Sequence, residues 1–325
     1  KKFMTKKIIG MGNAVLDILT KVENNFIDEN NLSKGTMAIV SKDESQKILE
    51  KIEMIKTDSG GSVANTISTI SLLGLDASFC GKVMNDELGN DFENKMTESG
   101  TNFLCDKSNS GLPTARCIVF VTPDGERTMQ TFLGASTTLS ASDITEEYFK
   151  DQDYLLIEGY LWSSETAREA ITKAVNFCKQ FNVKIIFSLS DPNLVKSLKR
   201  DFLRFINEDV DVLIGNEDEF ESLLDFNIQK TKITENLNLD IAVITKGSEG
   251  ADFIRQNELT EVKGTKVDSV IDTTGAGDMF AAGFIFKYIN GYDPKESVEF
   301  ANKLASLIIQ KFGARADSEM LNKIV

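Results

Sequence analysis

The sequence predicts a three-layer α/β/α protein with a mostly parallel central sheet and, apart from it, a small β-sheet lid. Two observations predict this. From about residue 150, short apolar runs alternate with amphipathic helical runs, the pattern of parallel strands covered on both faces. Before that point several β-rich pieces occur outside the alternation. They are expected to build the lid from about residues 14–42 and 108–134. With 325 residues, no repeat and no low-complexity tract, the chain reads as one unit over 1–325.

The elements follow in chain order. Residues 6–22 read as a short buried strand, a break of small residues and a second extended piece, and TMAIVS at 36–41 as another strand. Val63, Ile67, Ile70 and Leu73 recur at helical spacing before Gly74. A strand at 76–83 and a polar helix closed by Gly100 come next. Two β-rich runs flank Pro123-Asp124-Gly125, a hairpin signal. Then come a strand at 153–160 and a helix capped by Ser163 or Ser164. Strands at 183–190, 210–216 and 239–247 follow, separated by helices at 193–207 and 217–224. A hairpin over 250–264 and two long helices, from 275 and from 294, complete the chain. Met4 is expected to be the natural start, with residues 1–3 foreign to it.

Composition narrows the chemistry. A formal net charge of −14 repels nucleic acid and anionic lipid, so neither is an expected partner. At 41% hydrophobic and 26% charged the chain can bury a substantial core. No run of about 18 apolar residues occurs, and the protein reads as cytoplasmic. Cys80, Cys105, Cys117 and Cys178 form no C-x-x-C pair and read as buried, reduced thiols. The chain has no histidine, which removes imidazole bases, His-containing triads and His-ligated zinc. A carboxylate is therefore the expected proton acceptor, and a hard ion such as Mg²⁺ the expected metal.

The segment Asp272–Asp278, DTTGAGD, is the sharpest feature. Gly275 and Gly277, with Ala276 between them, let the backbone turn and leave N–H groups bare where an apolar helix begins. Free N–H groups at the positive end of a helix make an anion site. Asp278, in the first turn, is placed to take a proton from a hydroxyl beside a transferring phosphoryl group. The same residues also fit an ordinary helix start capped by Thr273 or Thr274.

Asp272–Asp278 resembles the C-terminal signature of the PfkB (ribokinase-like) carbohydrate kinases, and residues 59–89 resemble their N-terminal signature of paired glycines, Asn and a helix. The likeness runs over essentially the whole chain. It implies a ribokinase-like fold and ATP-dependent phosphorylation of a sugar or nucleoside hydroxyl, with Mg²⁺; activation by a monovalent cation such as K⁺ is common in the family. It implies that Gly60, Gly61 and Asn65 border the acceptor. Asn13 and Asp17, in GNAVLD, can both face a polyol, and the spelling is similar to that of adenosine kinases. The glycines of GMGNAV do not form a dinucleotide fingerprint, since Val15 stands where its third glycine belongs.

On the nucleotide side, Asn216 and Glu219 match the family's N-x-x-E motif, which implies Mg²⁺ held by Glu219 through water; the same spacing is a capping box. Thr245, Lys246 and Gly247 follow a strand, where ligands of open α/β sheets sit. Asn302 fits the helix beside the adenine. Arg127, in the lid hairpin, either closes over phosphate or is a solvated turn residue. Adenosine, through its 5′-hydroxyl, is the first expected acceptor. A ribokinase- or fructokinase-type sugar, or a non-catalytic nucleotide- or sugar-binding sensor, is the alternative. Both monomer and homodimer fit.

Overall fold

A computed structural model describes residues 6–224 and 230–324; Met4 and the residues before it lie outside this range. Its strands are β1 (Lys7–Met11), β2 (Val15–Lys21), β3 (Met37–Ile39), β4 (Lys56–Gly60), β5 (Asp76–Cys80), β6 (Asn102–Phe103), β7 (Ala115–Val121), β8 (Arg127–Phe132), β9 (Tyr154–Glu158), β10 (Lys184–Ser188), β11 (Val212–Asn216), β12 (Ile241–Thr245), β13 (Gly250–Arg255) and β14 (Glu258–Lys263). Nine of them form one sheet in the order β14-β13-β12-β11-β10-β9-β1-β5-β6, and five form another in the order β3-β8-β7-β2-β4.

The large sheet is parallel from β12 through β6 and ends in the antiparallel pair β13–β14. Side chains alternate between two cores. Ile8, Leu156, Ile241 and Val243 pack under the helices Ser62–Leu72, Ala276–Ile289 and Pro294–Ile308. Ile9, Leu155, Ile157, Ala242 and Ile244 pack under the helices Glu165–Phe181 and Lys199–Asp209 on the other face. Strands buried on both faces are why these segments read as continuous apolar runs. The hairpin β13–β14 turns on Gln256 and Asn257, both at positive φ, as a two-residue primed turn requires.

Strand order reverses at β1, which lies between β9 and β5 although they follow it in the chain. Crevices at such a switch point, beyond the carboxyl ends of the strands, are where open α/β sheets bind ligands. Here β1 leads through Gly12 and Asn13 into β2 of the small sheet, whose two faces differ. Ile18, Ile118 and Phe120 belong to the covered face: Ile118 and Phe120 pack with Ile27 and Ile48 from short helices at Asn24–Glu29 and Lys42–Leu49. Val15, Asp17 and Leu19 face the cleft with Cys117 and Val119.

Three expectations need correction. The small sheet draws on residues 56–60, which sequence reading left unassigned because KTDSG lacks apolar alternation. The stretch 14–42 is not all β: it holds the helix Asn24–Glu29, which has no side-chain cap to announce it. The helix expected over 193–207 is two, Pro192–Ser197 and Lys199–Asp209, divided at Leu198.

Candidate active site

The helix Ala276–Ile289 starts without a side-chain cap. Gly275 precedes it at φ 79°, and a Cβ there would lie 2.7 Å from Ala314, so the turn needs glycine twice over. Thr274 does not cap the helix; its N–H and hydroxyl donate back to Asp272 Oδ1 at 3.0 and 2.7 Å. The Ala276 N–H bonds the Thr273 carbonyl, while those of Gly275, Gly277 and Asp278 find no acceptor among the described residues. This leaves bare amides at the positive end of a helix.

Asp278 faces a cavity of about 360 Å³. Ser62 Oγ donates to its Oδ1 at 2.6 Å and Asn65 Nδ2 to its Oδ2 at 2.9 Å. Among the described residues it forms no salt bridge. Burial raises its pKa above the usual carboxylate range; the two hydrogen bonds and the nearby Arg315 charge oppose the rise. A carboxylate held by two neutral donors and made more basic by burial is suited to accept a proton.

The same cavity contains Asp17 on β2 and Asp58 on β4, directly opposite each other in the antiparallel register. Burial, then the Asp58 charge, pushes Asp17 up to about 7. Gly60 makes room for it, since a Cβ there would meet Asp17 Oδ1 at 2.5 Å. Arg315 reaches the floor from near the C-terminus, donating to the carbonyls of Ser59 and Ala64 at 3.1 and 3.3 Å and to Asn65 Oδ1 at 3.4 Å. Burial lowers its pKa to about 10 against the charges of Asp58, Asp17 and Asp278. The apolar wall is made of Leu19, Val119 and Met129, which continue the sheet face that carries Asp17, together with Tyr160 and Phe312.

A second cavity, about 920 Å³, lies on the other side of the glycine turn. Asp278 and Thr274 line the first cavity; Thr273, Ala276 and Gly277 line the second. A Cβ on Gly277 would meet no protein atom, so this glycine leaves room for something that is not protein. Thr245, Lys246, Gly247, Asn216 and Asn302 line the same space. Asn302 donates to the Lys263 carbonyl at 3.1 Å, and Lys246 pairs with buried Asp252 at 2.7 Å. Two cavities thus flank one helix start with bare amides, and Asp278 lines the smaller of them.

Residues 28–320 match the pfkB family carbohydrate kinases. The chain belongs to that family. It is 27% identical over 269 residues to the 5-dehydro-2-deoxygluconokinase of Bacillus subtilis, covering 78% of this chain and 81% of the relative. Its fold matches the adenosine kinase from Sinorhizobium meliloti with a TM-score of 0.87 and 30% identity, over 98% of each chain. It also matches a putative Ribokinase II from E. coli, in complex with ATP and Mg²⁺, at TM-score 0.80 and 21% identity over 98% of each chain. The fold is ribokinase-like, and this member of the pfkB family is a phosphotransferase with an alcohol group as acceptor.

The remaining sequence-derived positions of this pfkB member fall as follows. Gly61 takes φ 97° against the Asn13 carbonyl, at which a Cβ would stand 2.2 Å away. Asn13 itself does not line the smaller cavity; its N–H donates to Glu158 Oε1 at 2.8 Å. Arg127 lines that cavity but is held by Asp272 Oδ2 at 2.7 Å, with Phe312 beneath its guanidinium. Asn216 and Glu219 do form the capping box: Glu219 accepts from the Asn216 N–H and Nδ2 at 2.8 and 3.0 Å. Burial raises Glu219 to about 7. Trp162 packs among Phe187, Phe202 and Phe205, away from both cavities.

Sequence reasoning missed Asp58, Arg315, Ser62 and Glu158. Glu158, fully buried, accepts from the N–H groups of Asn13 and Val63 at 2.8 and 2.9 Å and so ties the β1–β2 connection to the helix that carries Ser62 and Asn65. Its one signal was a charged residue ending an apolar strand.

Proposed function

We propose that the chain is an ATP-dependent nucleoside kinase acting on the 5′-hydroxyl of adenosine or a close purine nucleoside. The observation that carries this reading is the divided chemistry of the smaller cavity. Its floor is polar, with Asp17, Asp58, Asn65, Asp278 and Arg315; its wall is apolar and holds two exposed aromatics, Tyr160 (41%) and Phe312 (53%). A ribose suits the floor and a planar base suits the wall.

The second reading is a sugar acceptor, whether of ribokinase or fructokinase type or the sugar acid that the Bacillus relative's name indicates. A carboxylate acceptor needs a free cation. Among the described residues Arg127 is held by Asp272 and Lys56 by Asp58 at 2.9 Å; Arg315 forms no salt bridge, but its charge already faces those of Asp58, Asp17 and Asp278, and its Nη1 is taken up by two carbonyls and Asn65. The carboxylates of Asp17, Asp58 and Asp278 in the same space disfavour an anion further. A plain sugar would leave the apolar wall bare. Against a non-catalytic sensor stands the Asp278 carboxylate beside unbonded helix amides.

In the proposed reaction Asp278 takes the proton of the acceptor hydroxyl. That oxygen bonds to the γ-phosphorus as the bond to the bridging oxygen breaks and ADP leaves. The N–H groups of Gly275, Gly277 and Asp278 donate to the transferring oxygens. Asn216, Thr245, Lys246, Gly247 and Asn302 border the nucleotide. Bound Mg²⁺ would neutralise phosphate charge. Among the described residues no group of three or more His, Cys, Asp or Glu could hold a metal directly, and both Glu219 oxygens are engaged by Asn216. Mg²⁺ would then arrive with the nucleotide, and Glu219, which lines neither cavity, would act on it only through water. The small sheet, closing as a lid, would exclude bulk water.

ADP release with ATP–Mg²⁺, with and without K⁺, tests the assignment against adenosine, ribose, fructose and 5-dehydro-2-deoxygluconate. Adenosine should exceed the others in kcat/KM by about 100-fold, a margin a built hydroxyl-and-base site can supply. Turnover of a sugar or sugar acid without adenosine turnover would overturn the reading.

A further inference from the structure

We propose that Asp58 is a specificity-determining residue, accepting a hydrogen bond from the acceptor hydroxyl adjacent to the one held by Asp17 and so selecting vicinal diols over deoxy acceptors. This rests on the kinase reading above, in which Asp278 and Asp17 serve the acceptor, but it requires only a diol-bearing acceptor, not adenosine itself.

Register places the two carboxylates. Asp17 and Asp58 are directly opposed across β2 and β4, so both side chains project from one face of the small sheet, the face that lines the acceptor cavity. They splay apart. Asp17 stands over Gly60, at the end nearest Ser62 and hence Asp278, whereas Asp58 leans toward Lys56 at 2.9 Å. The three acids therefore succeed one another along the floor as Asp278, Asp17 and Asp58.

Like charges directly opposite in a sheet destabilise it, and burial makes this pair worse. Arg315 opposes the charge of both, but its Nη1 donates to the carbonyls of Ser59 and Ala64 and to Asn65 and to neither carboxylate. Asp17 has no hydrogen-bond or salt-bridge partner among the described residues. Asp58 pairs with Lys56 through Oδ2 alone, and its Oδ1 has no partner among the described residues. Two adjacent acceptors facing a cavity, with their lone pairs open, match a ligand offering two adjacent donors. Two neighbouring hydroxyls on a ring supply that arrangement; an acceptor lacking one of them leaves Asp58 without a donor, the kind of mismatch that a hydrogen-bonding site discriminates strongly.

The test is the acceptor selectivity of Asp58→Ala and of the isosteric Asp58→Asn. Each is assayed on whichever acceptor the wild type phosphorylates best, beside the analogue lacking one hydroxyl of the diol: adenosine with 2′- and 3′-deoxyadenosine, or a sugar with its deoxy analogues. The wild type should prefer the diol. Asp58→Ala should cut kcat/KM on the diol about 10- to 100-fold, mostly through KM, and on one deoxy analogue less than about threefold. Asp58→Asn, which keeps one oxygen acceptor, should recover part of the preference. Equal losses on diol and deoxy acceptors, an unchanged preference, or a lowered melting temperature with no change in selectivity would overturn the role. Should a sugar pair be turned over and adenosine not, the nucleoside reading falls while Asp58 is judged on the sugars. Should no acceptor be phosphorylated, both fall.

Discussion

Asn65 donates from Nδ2 to Asp278 Oδ2 at 2.9 Å while its Oδ1 accepts from Arg315 at 3.4 Å. The amide is thereby oriented from both ends, with its donor toward Asp278 and its acceptor toward Arg315. Asn65→Asp preserves the shape and reverses the first interaction, setting a carboxylate against Asp278. We expect kcat to fall about 100-fold or more. A second carboxylate beside Asp278 raises its pKa further, so the acid limb of the kcat/KM profile should move to higher pH. A pH–rate profile of wild type and variant checks both; an unmoved acid limb would separate Asn65 from the base.

Asp278→Asn removes the proposed proton acceptor and keeps the hydrogen-bonding shape. A general base contributes about 10²- to 10⁴-fold, and kcat should drop within that range. Nucleotide affinity should hold, because Asp278 lines the smaller cavity and not the one bordered by Gly277 and Asn302. Titration calorimetry with a non-hydrolysable ATP analogue, beside a turnover assay, separates the two effects.

The site was legible where its chemistry is local. In DTTGAGD the turn glycine, the bare helix start and the acid of the first turn lie within seven residues, so their meaning survives without tertiary contacts. Asp58 and Arg315 have no such signal. Asp58 acquires its role from strand register against Asp17, and its segment carries no apolar alternation. Arg315 lies in a polar stretch after the last long helix and meets Asn65 across 250 residues of sequence. The same contrast holds for the fold. Parallel strands buried on both faces announce themselves from residue 154 onward, whereas the short helix Asn24–Glu29 has neither length nor cap. Helix Lys42–Leu49 did carry a readable signal, the Ser41–Glu44 capping box.

Two glycines of one turn should fail in opposite ways. Gly277→Ala adds a methyl group with open space around it, at a residue that lines the larger cavity. Its melting temperature should be unchanged or higher, since alanine is favoured over glycine in a helix by up to about 1 kcal/mol, while the KM for ATP rises. Gly275→Ala forces a Cβ to within 2.7 Å of Ala314 at φ 79° and should lower the melting temperature. Thermal melts and ATP titrations of the two variants distinguish the cases; an unaltered ATP KM in a folded Gly277→Ala would remove that residue from the nucleotide site.

Glu158 links pH to stability through a group outside the reaction. Its carboxyl is fully buried, accepts from two backbone N–H groups, and is pushed by burial from the ordinary 4.5 to about 7. In the folded chain it keeps its proton through a window in which the unfolded chain has lost it. The associated stability is complete below about pH 4.5 and is lost as pH rises through about 7, a change of about 3 kcal/mol. Glu158→Gln is neutral throughout and leaves one N–H without its acceptor. It should be less stable than wild type at pH 5, and the gap should narrow steadily toward pH 8. Asp17 and Glu219, also raised to about 7, titrate in both proteins and cancel from the difference. Chemical denaturation of the pair at pH 5, 6, 7 and 8 reads the gap directly; a gap independent of pH would mean that Glu158 stays charged beneath the active-site helix, its carboxylate fully compensated by the amides of Asn13 and Val63.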